Sequence, residues 1–183
     1  GKRYKDLFVQ MNKEETQYFR EHWQPNWQDK KYSGWALLDK IAPTDSVLDI
    51  GCGTNPLKER LGEQVYGIDP AFDQADKLVT WEDYKPHKEF NVYLCLGSLN
   101  FGTTAEVEKQ LQKLADVTKT GDRIYWRQNS FGNDHLWHDD SKNVRFFPWS
   151  RELNKKYCEK YNFTLNDIQD DATNRLYAEW IKN

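Results

Sequence analysis

The chain has 183 residues, of which 15% are aromatic, and a formal net charge of −3. This length suits one domain with a sizeable core, and the slightly negative charge argues against a general DNA- or RNA-binding protein. Three cysteines without framework spacing, no apolar run of membrane-spanning length and no signal-peptide pattern together favour a cytoplasmic location.

The first half of the chain combines helical and strand patterns. Residues 1–41 are predicted to form helices, the last of which stops before Pro43. Short apolar runs then predict four strands, over residues 46–51, 64–69, 77–81 and 90–97. After the first strand, Asn55 is predicted to cap a very short helix that Pro56 begins and Gly62 ends.

The second half of the chain begins with a long helix. Thr103 and Glu106 have the spacing of a capping box, and apolar residues at helical period continue the pattern until Gly121. The remaining elements are a strand over 123–126, an irregular, ring-rich segment over 129–149, a helix over 150–161 that Ser150 caps, and strands over 163–168 and 175–181.

The order of these elements predicts the fold class. Strands that alternate with helices form a doubly wound, mostly parallel sheet covered on both faces. The last two strands are separated only by a polar turn and are therefore expected to be antiparallel. The sequence thus predicts an α/β fold with a mostly parallel seven-stranded sheet and an antiparallel C-terminal hairpin, in a single domain over residues 1–183.

A glycine turn follows the first strand, in the sequence DIGCGTNP over 49–56. At the carboxyl end of a parallel strand, such a turn lets the backbone approach a ligand closely. Asp69 ends the second strand, where a carboxylate can accept hydrogen bonds from both hydroxyls of a ribose. A dinucleotide fingerprint needs a glycine where this chain has Pro56, so the turn and Asp69 together favour a nucleoside-containing cofactor other than NAD.

The sequences DIGCGT and GID resemble motif I and the acidic loop of the class I S-adenosylmethionine-dependent methyltransferases. The resemblance is specific in 47–54 and 65–70 and architectural over the rest of 35–181. It implies a Rossmann-like methyltransferase fold, S-adenosylmethionine as cofactor and S-adenosylhomocysteine as product. The chain departs from the pattern in two ways, because Asn55 replaces the third motif glycine and the gap before Asp69 is short.

The cofactor contacts that this resemblance implies fall after the first four strands. They are Asp49, Gly51, Cys52, Gly53, Asp69, Pro70, Trp81, Glu82, Asp83, Leu96 and Gly97. Asp49 and the backbone of the turn would hold the methionine part, and Asp69 would hold the ribose hydroxyls. Trp81 or Leu96 would pack on the adenine ring, and either Glu82 or Asp83 would accept a hydrogen bond from its exocyclic amine.

The acceptor-side candidates follow the fourth and fifth strands. Asn100 lies where this family often places acceptor-facing groups, although the prolines of an amino-methylating signature are absent. In the acceptor-side loop 127–149, His135 and His138 are candidate bases, with a solvated loop as the alternative; no metal site is expected. Further candidate acceptor contacts are Tyr18, Tyr32, Trp126 and Trp137.

The ring-rich segments allow two interpretations each. The rings within 127–149 would either roof an acceptor pocket or anchor the segment to the core, and residues 1–41 would either form a lid or pack on the sheet. We expect methyl transfer to a small molecule or a protein, with no strong nucleic-acid signal and no membrane. The alternatives are a non-catalytic cofactor-binding protein and an aminopropyl transferase, whose amine pocket would need an acidic cluster such as Asp134, Asp139 and Asp140.

Overall fold

A computed structural model describes residues 13–22, 33–130, 144–170 and 175–183. Its α-helices are α1 (Lys13–His22), α2 (Lys58–Leu61), α3 (Thr104–Val117) and α4 (Arg151–Tyr161), and its 3₁₀ helices are Ser33–Lys40 and Gly62–Gln64. Its strands are β1 (Val47–Ile50), β2 (Val65–Asp69), β3 (Lys77–Leu78), β4 (Val92–Cys95), β5 (Arg123–Asn129), β6 (Phe163–Asp170) and β7 (Arg175–Lys182).

The seven strands form one mixed sheet in the order β3-β2-β1-β4-β5-β7-β6. The first five strands are parallel, whereas β7 pairs antiparallel with both β5 and β6. The predicted fold class, including the antiparallel C-terminal hairpin, is confirmed. No helix among the described residues is both long and apolar enough to cross a membrane.

Alternation along the strands divides the core between the two faces of the sheet. Side chains such as Leu48, Ile124 and Trp180 pack in the larger core, which α3 and α4 cover. Val47, Leu94 and Tyr125 belong to the smaller core on the opposite face, against the 3₁₀ helix Ser33–Lys40 and α2. Both β1 and β4 are buried along their whole length, as expected for central strands of a doubly wound sheet.

Several predicted element ends are confirmed and others are wrong. The side chain of Thr103 accepts a hydrogen bond from Glu106 N at 3.2 Å within the predicted capping box, and Ser150 caps α4. The strand predicted over 77–81 ends at Leu78, because the chain then turns and Tyr84 N donates to Thr80 O. β5 runs on to Asn129, because β7 pairs with all of it.

The predicted role of Asn55 as an N-cap is wrong. α2 begins at Lys58 and has no side-chain cap, although Gly62 ends it as predicted. Asn55 has a left-handed backbone (φ 63°), and its amide Nδ2 donates to Gln74 O and Asp76 Oδ2, both at 3.2 Å. The side chain therefore joins the glycine turn to the segment after β2 instead of satisfying the start of the helix.

Candidate functional site

The glycine turn is bound to β2 by its own amides. Gly51 N and Cys52 N both donate to Ile68 O, at 2.8 and 3.0 Å, and Gly53 N donates to Asp69 Oδ2 at 2.9 Å. Gly51 (φ 73°) and Gly53 (φ 59°) take the left-handed conformation that this path requires. Because these amides have partners within the protein, the turn offers a ligand close approach to its Cα atoms.

The loop after β4 lies directly against this turn. A Cβ atom on Gly51 would lie 2.8 Å from Ser98 Cβ, a distance that real Cβ contacts do not reach. Glycine is thus required here both for its backbone conformation and for its lack of a side chain. The contact brings the segment that contains Leu96 and Gly97 to the glycine turn, as the sequence predicts, with Leu96 half-buried and Gly97 exposed.

Asp49 and Asp69 place two carboxylates at the ends of neighbouring strands. Asp49 is 1% exposed, and burial together with the negative charge of Asp69 raises its pKa to about 7. Burial also raises the pKa of Asp69, against backbone hydrogen bonds from Ala71 and Gly53 that lower it. Two buried carboxylates favour a cationic ligand group, because a nearby positive charge stabilises their ionised forms.

Other polar atoms around the turn suit a polar ligand. Within the part of the chain that the structure describes, Asp49 Oδ2, Thr54 Oγ1 and Ser98 Oγ are buried without a hydrogen-bond partner. Buried polar atoms are normally paired, and each unpaired atom costs about 1–3 kcal/mol. These atoms, the bare glycine surface and the acidic pair fit a ligand with an ammonium group and hydroxyls.

A framework of residues that the sequence analysis missed supports the turn. Asp76 Oδ2 accepts hydrogen bonds from Gly67 N at 2.8 Å and from Asn55 Nδ2, and Lys58 pairs with its other oxygen at 2.9 Å. A Cβ atom on Gly67 would lie 2.5 Å from Asn55 Oδ1. A glycine inside a strand often marks such a close approach, and this was the signal available in the sequence.

Of the two adjacent acidic residues that follow β3, one is partly buried. Glu82 is half-buried, and burial raises its pKa, whereas Asp83 is exposed. Trp81 is 5% exposed, and its indole Nε1 donates to Gln110 O of α3 at 3.1 Å. Trp81 and Leu96 were the two residues predicted to pack on the adenine ring. Trp81 is held in the core against α3, whereas Leu96 is half-buried in the loop beside the glycine turn.

Asn100 is fully engaged with the backbone of neighbouring segments. Its Oδ1 accepts from Asn129 N at 3.1 Å, and its backbone oxygen accepts from Phe147 N at 2.6 Å. The rings of Phe147 and Trp149 are buried in the larger core, so these described parts of 127–149 anchor the segment. Asn100 thus joins the loop after β4 to both ends of the acceptor-side segment.

Of the other acceptor-side candidates, Trp126 lies in β5 and is part of the lining of the cavity described below, although its ring packs on the other face of the sheet. Trp126 is buried on the α4 face of the sheet, where its ring lies 4.6 Å from that of Trp180 and 5.3 Å from that of Trp149, centroid to centroid. Tyr32, His135, Trp137 and His138 lie outside the described residues, as do Asp134, Asp139 and Asp140 and the side chain of Tyr18. Among described residues, no cluster of three or more acidic, His or Cys side chains could hold a metal ion.

A cavity of about 230 Å³ lies between the 3₁₀ helix Ser33–Lys40 and the face of β5, β7 and β6 on which Tyr125 lies. Its lining includes Leu37, Lys40, Leu96, Tyr125, Asp167 and Glu179. Asp167 and Glu179 are direct partners across β6 and β7, after an irregularity in register between Leu165 and Asp167. Leu96 connects this cavity to the loop beside the glycine turn.

Comparison of the sequence alone finds no matching family model and no similar curated protein. Comparison of the fold finds many solved structures. One is an S-adenosylmethionine-dependent methyltransferase from Clostridium acetobutylicum ATCC 824, with a TM-score of 0.63 and 14% identity over 91% of this chain and 96% of that chain.

Two further neighbours carry bound ligands. The magnesium protoporphyrin IX methyltransferase of Synechocystis PCC 6803, with bound S-adenosylmethionine, has a TM-score of 0.63 and 15% identity over 96% of this chain and 99% of that chain. The 1,6-didemethyltoxoflavin-N1-methyltransferase of Burkholderia thailandensis, with bound 1,6-didemethyltoxoflavin and S-adenosylhomocysteine, has a TM-score of 0.66 and 14% identity over 92% and 84% of the two chains. At these identities the similarity establishes the fold.

Proposed function

We propose that this protein is a methyltransferase that uses S-adenosylmethionine. The observation that carries the proposal is the acidic pair at the glycine turn, in which Asp49 Oδ2 is buried without a partner among the described residues. An ammonium group would neutralise this site, and Asp69 at the end of β2 would accept hydrogen bonds from the ribose hydroxyls. The fold of the neighbouring methyltransferase structures supports the same conclusion.

The sulfonium group of the bound cofactor would supply the methyl group and leave as S-adenosylhomocysteine. The protein would contribute alignment of the acceptor and exclusion of water, which need no acid or base when the acceptor atom is already a good nucleophile. The side-chain amide of Asn100 is hydrogen-bonded to the backbone of Arg127 and Asn129, which supports a role in positioning the acceptor-side segment. His135 and His138 remain candidate bases.

For the acceptor, the cavity beside Leu96 favours a small molecule. Asp167 and Glu179 face each other there, and like charges directly opposite on a sheet are destabilising until a cation lies between them. Asp167 accepts a hydrogen bond from the neutral amide of Gln169, and Glu179 bonds with the amide of Asn166 and with Tyr125, while Lys40 supplies one positive charge to the lining. We therefore favour an acceptor with a basic group, and incubation of cell extract with a labelled methyl donor would identify it.

The proposed cofactor site is tested by calorimetric titration with S-adenosylmethionine and S-adenosylhomocysteine. We expect Asp69→Asn to weaken binding of both by about 10–100-fold, because ribose hydroxyls would lose a charged acceptor. Asp73→Asn is the matched control, since Asp73 is exposed in the segment that follows β2.

Thermal unfolding of each variant separates a binding defect from a folding defect. Failure of the wild-type protein to bind either ligand would overturn the proposed function. Binding that is unchanged in a folded Asp69→Asn variant would leave the cofactor in place but contradict the assigned pocket.

A further inference from the structure

The segment after β3 is fixed to α3 by side-chain contacts. Between β3 and β4 the described chain contains no helix, so residues 79–91 have no regular backbone pairing of their own to hold them. Instead, the indole of Trp81 donates a hydrogen bond to Gln110 O of α3. Lys113, one helical turn further along α3, makes a second contact with the segment.

The ammonium group of Lys113 donates to three converging carbonyl oxygens. They belong to Trp81, Glu82 at 3.2 Å and Tyr84 at 2.5 Å. Lys113 Nζ also lies 4.4 Å from the centroid of the Trp81 ring. A lysine ammonium has three N–H donors, and here each of them has one carbonyl acceptor in the segment 81–84.

The same contacts fix the backbone from which the Glu82 side chain extends. The charges of Lys113, Asp83 and Glu106 all act on the Glu82 carboxyl group. Glu106 lies in the first turn of α3, at the carboxyl edge of the sheet. β3 is the neighbour of β2 on the side away from β1. If the ammonium group of the cofactor lies at Asp49 of β1 and its ribose at Asp69 of β2, its base would extend towards β3 and the segment that Lys113 holds.

We propose that Lys113 is a positioning residue that fixes Glu82, and not Asp83, as the acceptor for the exocyclic amine of the cofactor's adenine. This inference rests on the proposed function and adds to it how the protein recognises adenine. Lys113 acts through the backbone of Trp81, Glu82 and Tyr84, and it needs no contact with the cofactor.

The test compares two ligands that differ only at the base. They are S-adenosylhomocysteine and its purine analogue, in which a hydrogen atom replaces the exocyclic amine. We expect the wild-type protein to prefer the adenine ligand by about 10–100-fold, because the carboxylate would have no donor in the purine complex.

We expect Lys113→Met to reduce that preference to within about threefold, by weakening S-adenosylhomocysteine while the analogue binds as before. Lys109→Met is the control, since Lys109 is exposed one turn earlier on the same helix. Glu82→Ala should lose the preference, and Asp83→Ala should keep it.

Lys113→Arg gives a second variant in case the methionine variant does not fold, because a planar guanidinium cannot donate to three carbonyls that converge on one point.

An unchanged preference in folded Lys113 variants would overturn this inference alone. Equal loss of affinity for both ligands would do so as well, since it would indicate a general structural role. Failure of the wild-type protein to bind either ligand would overturn the proposed function, and this inference with it.

Discussion

Asp49 is a buried carboxylate beside a second negative charge, and this makes its ionisation unfavourable. Its pKa is raised from an ordinary 3.8 to about 7 in the folded chain. Between these values the folded protein binds more protons than the unfolded chain, so its stability falls as pH rises through that window. A cationic ligand group beside Asp49 would reverse this effect, because it stabilises the carboxylate.

We expect Asp49→Asn to raise the melting temperature of the unliganded protein at about pH 8 by about 2–8 °C, or about 1–2 kcal/mol. At about pH 3 the difference should nearly vanish, because the Asp49 carboxyl is then protonated in both the folded and the unfolded wild-type chain. Melting curves across this pH range check the prediction, with the exposed Asp39→Asn as control. A difference that did not change with pH would contradict it.

Among the elements, α1 is joined to the rest of the fold through an ion-pair network. Arg145 donates to both oxygens of the buried Glu15 through Nη2 and its backbone N, each at 3.0 Å. Its Nη1 donates to Glu106 Oε1 at 2.6 Å, and Glu106 also completes the capping box of α3. One guanidinium thus connects α1, the end of the acceptor-side segment and the start of α3.

Arg145→Met should destabilise the protein by about 2–4 kcal/mol in urea unfolding, because two buried carboxylates lose their guanidinium. We expect less than the full cost of a buried pair, since the Arg145 side chain is 36% exposed. Lys119→Met, which removes the exposed pair with Glu89, should cost less than about 1 kcal/mol. Arg145→Met combined with Glu15→Gln should recover part of the loss; equal costs for the Arg145 and Lys119 variants would contradict the network.

The helix starts show which structural features the local sequence predicts and which it does not. The start of α3 was predictable because Thr103 and Glu106 bond to each other, three residues apart. The role of Asn55 was not predictable, because its partners Gln74 and Asp76 lie 19 and 21 residues further along the chain. A residue that often caps helices therefore makes tertiary hydrogen bonds that exist only in the folded chain.

The same distinction applies to the candidate site. The positions of Asp49 and Asp69 were predictable, because each lies in the last two residues of a strand and parallel strands bring their carboxyl ends to one edge. Trp126 lies in β5, but alternation turns its side chain towards α4 and away from the face that Tyr125 occupies. Lys113 carries no motif, and its role follows only from the three carbonyls that meet it.

At the scale of the whole molecule, Asn154 joins the parallel and antiparallel parts of the sheet. It is buried in α4, and its Oδ1 accepts from Trp180 Nε1 of β7 at 3.0 Å. Its Nδ2 donates to Gln128 Oε1 of β5 at 2.7 Å, and Gln128 Nε2 donates back at 3.1 Å. This buried polar network holds the C-terminal hairpin in register with the rest of the sheet.

Asn154→Leu preserves approximate volume but leaves the Trp180 indole and the Gln128 amide without these bonds. We expect a loss of about 2–4 kcal/mol of unfolding free energy, because each buried unpaired group costs about 1–3 kcal/mol. The exposed Lys155→Leu on the same helix serves as control. Urea unfolding monitored by tryptophan fluorescence checks this, and a cost within about 0.5 kcal/mol of the control would contradict it.

The position of β7 between β5 and β6 also affects how the chain folds during its synthesis. Until Arg175–Lys182 has been made, β5 is an edge strand, and its residues 123–129 have unpaired backbone groups on one side. The ring stack of Trp126 and Trp149 also lacks Trp180 at that stage. A nascent chain therefore exposes both an open strand and an aromatic surface until β7 emerges from the ribosome, and both features favour aggregation during that interval.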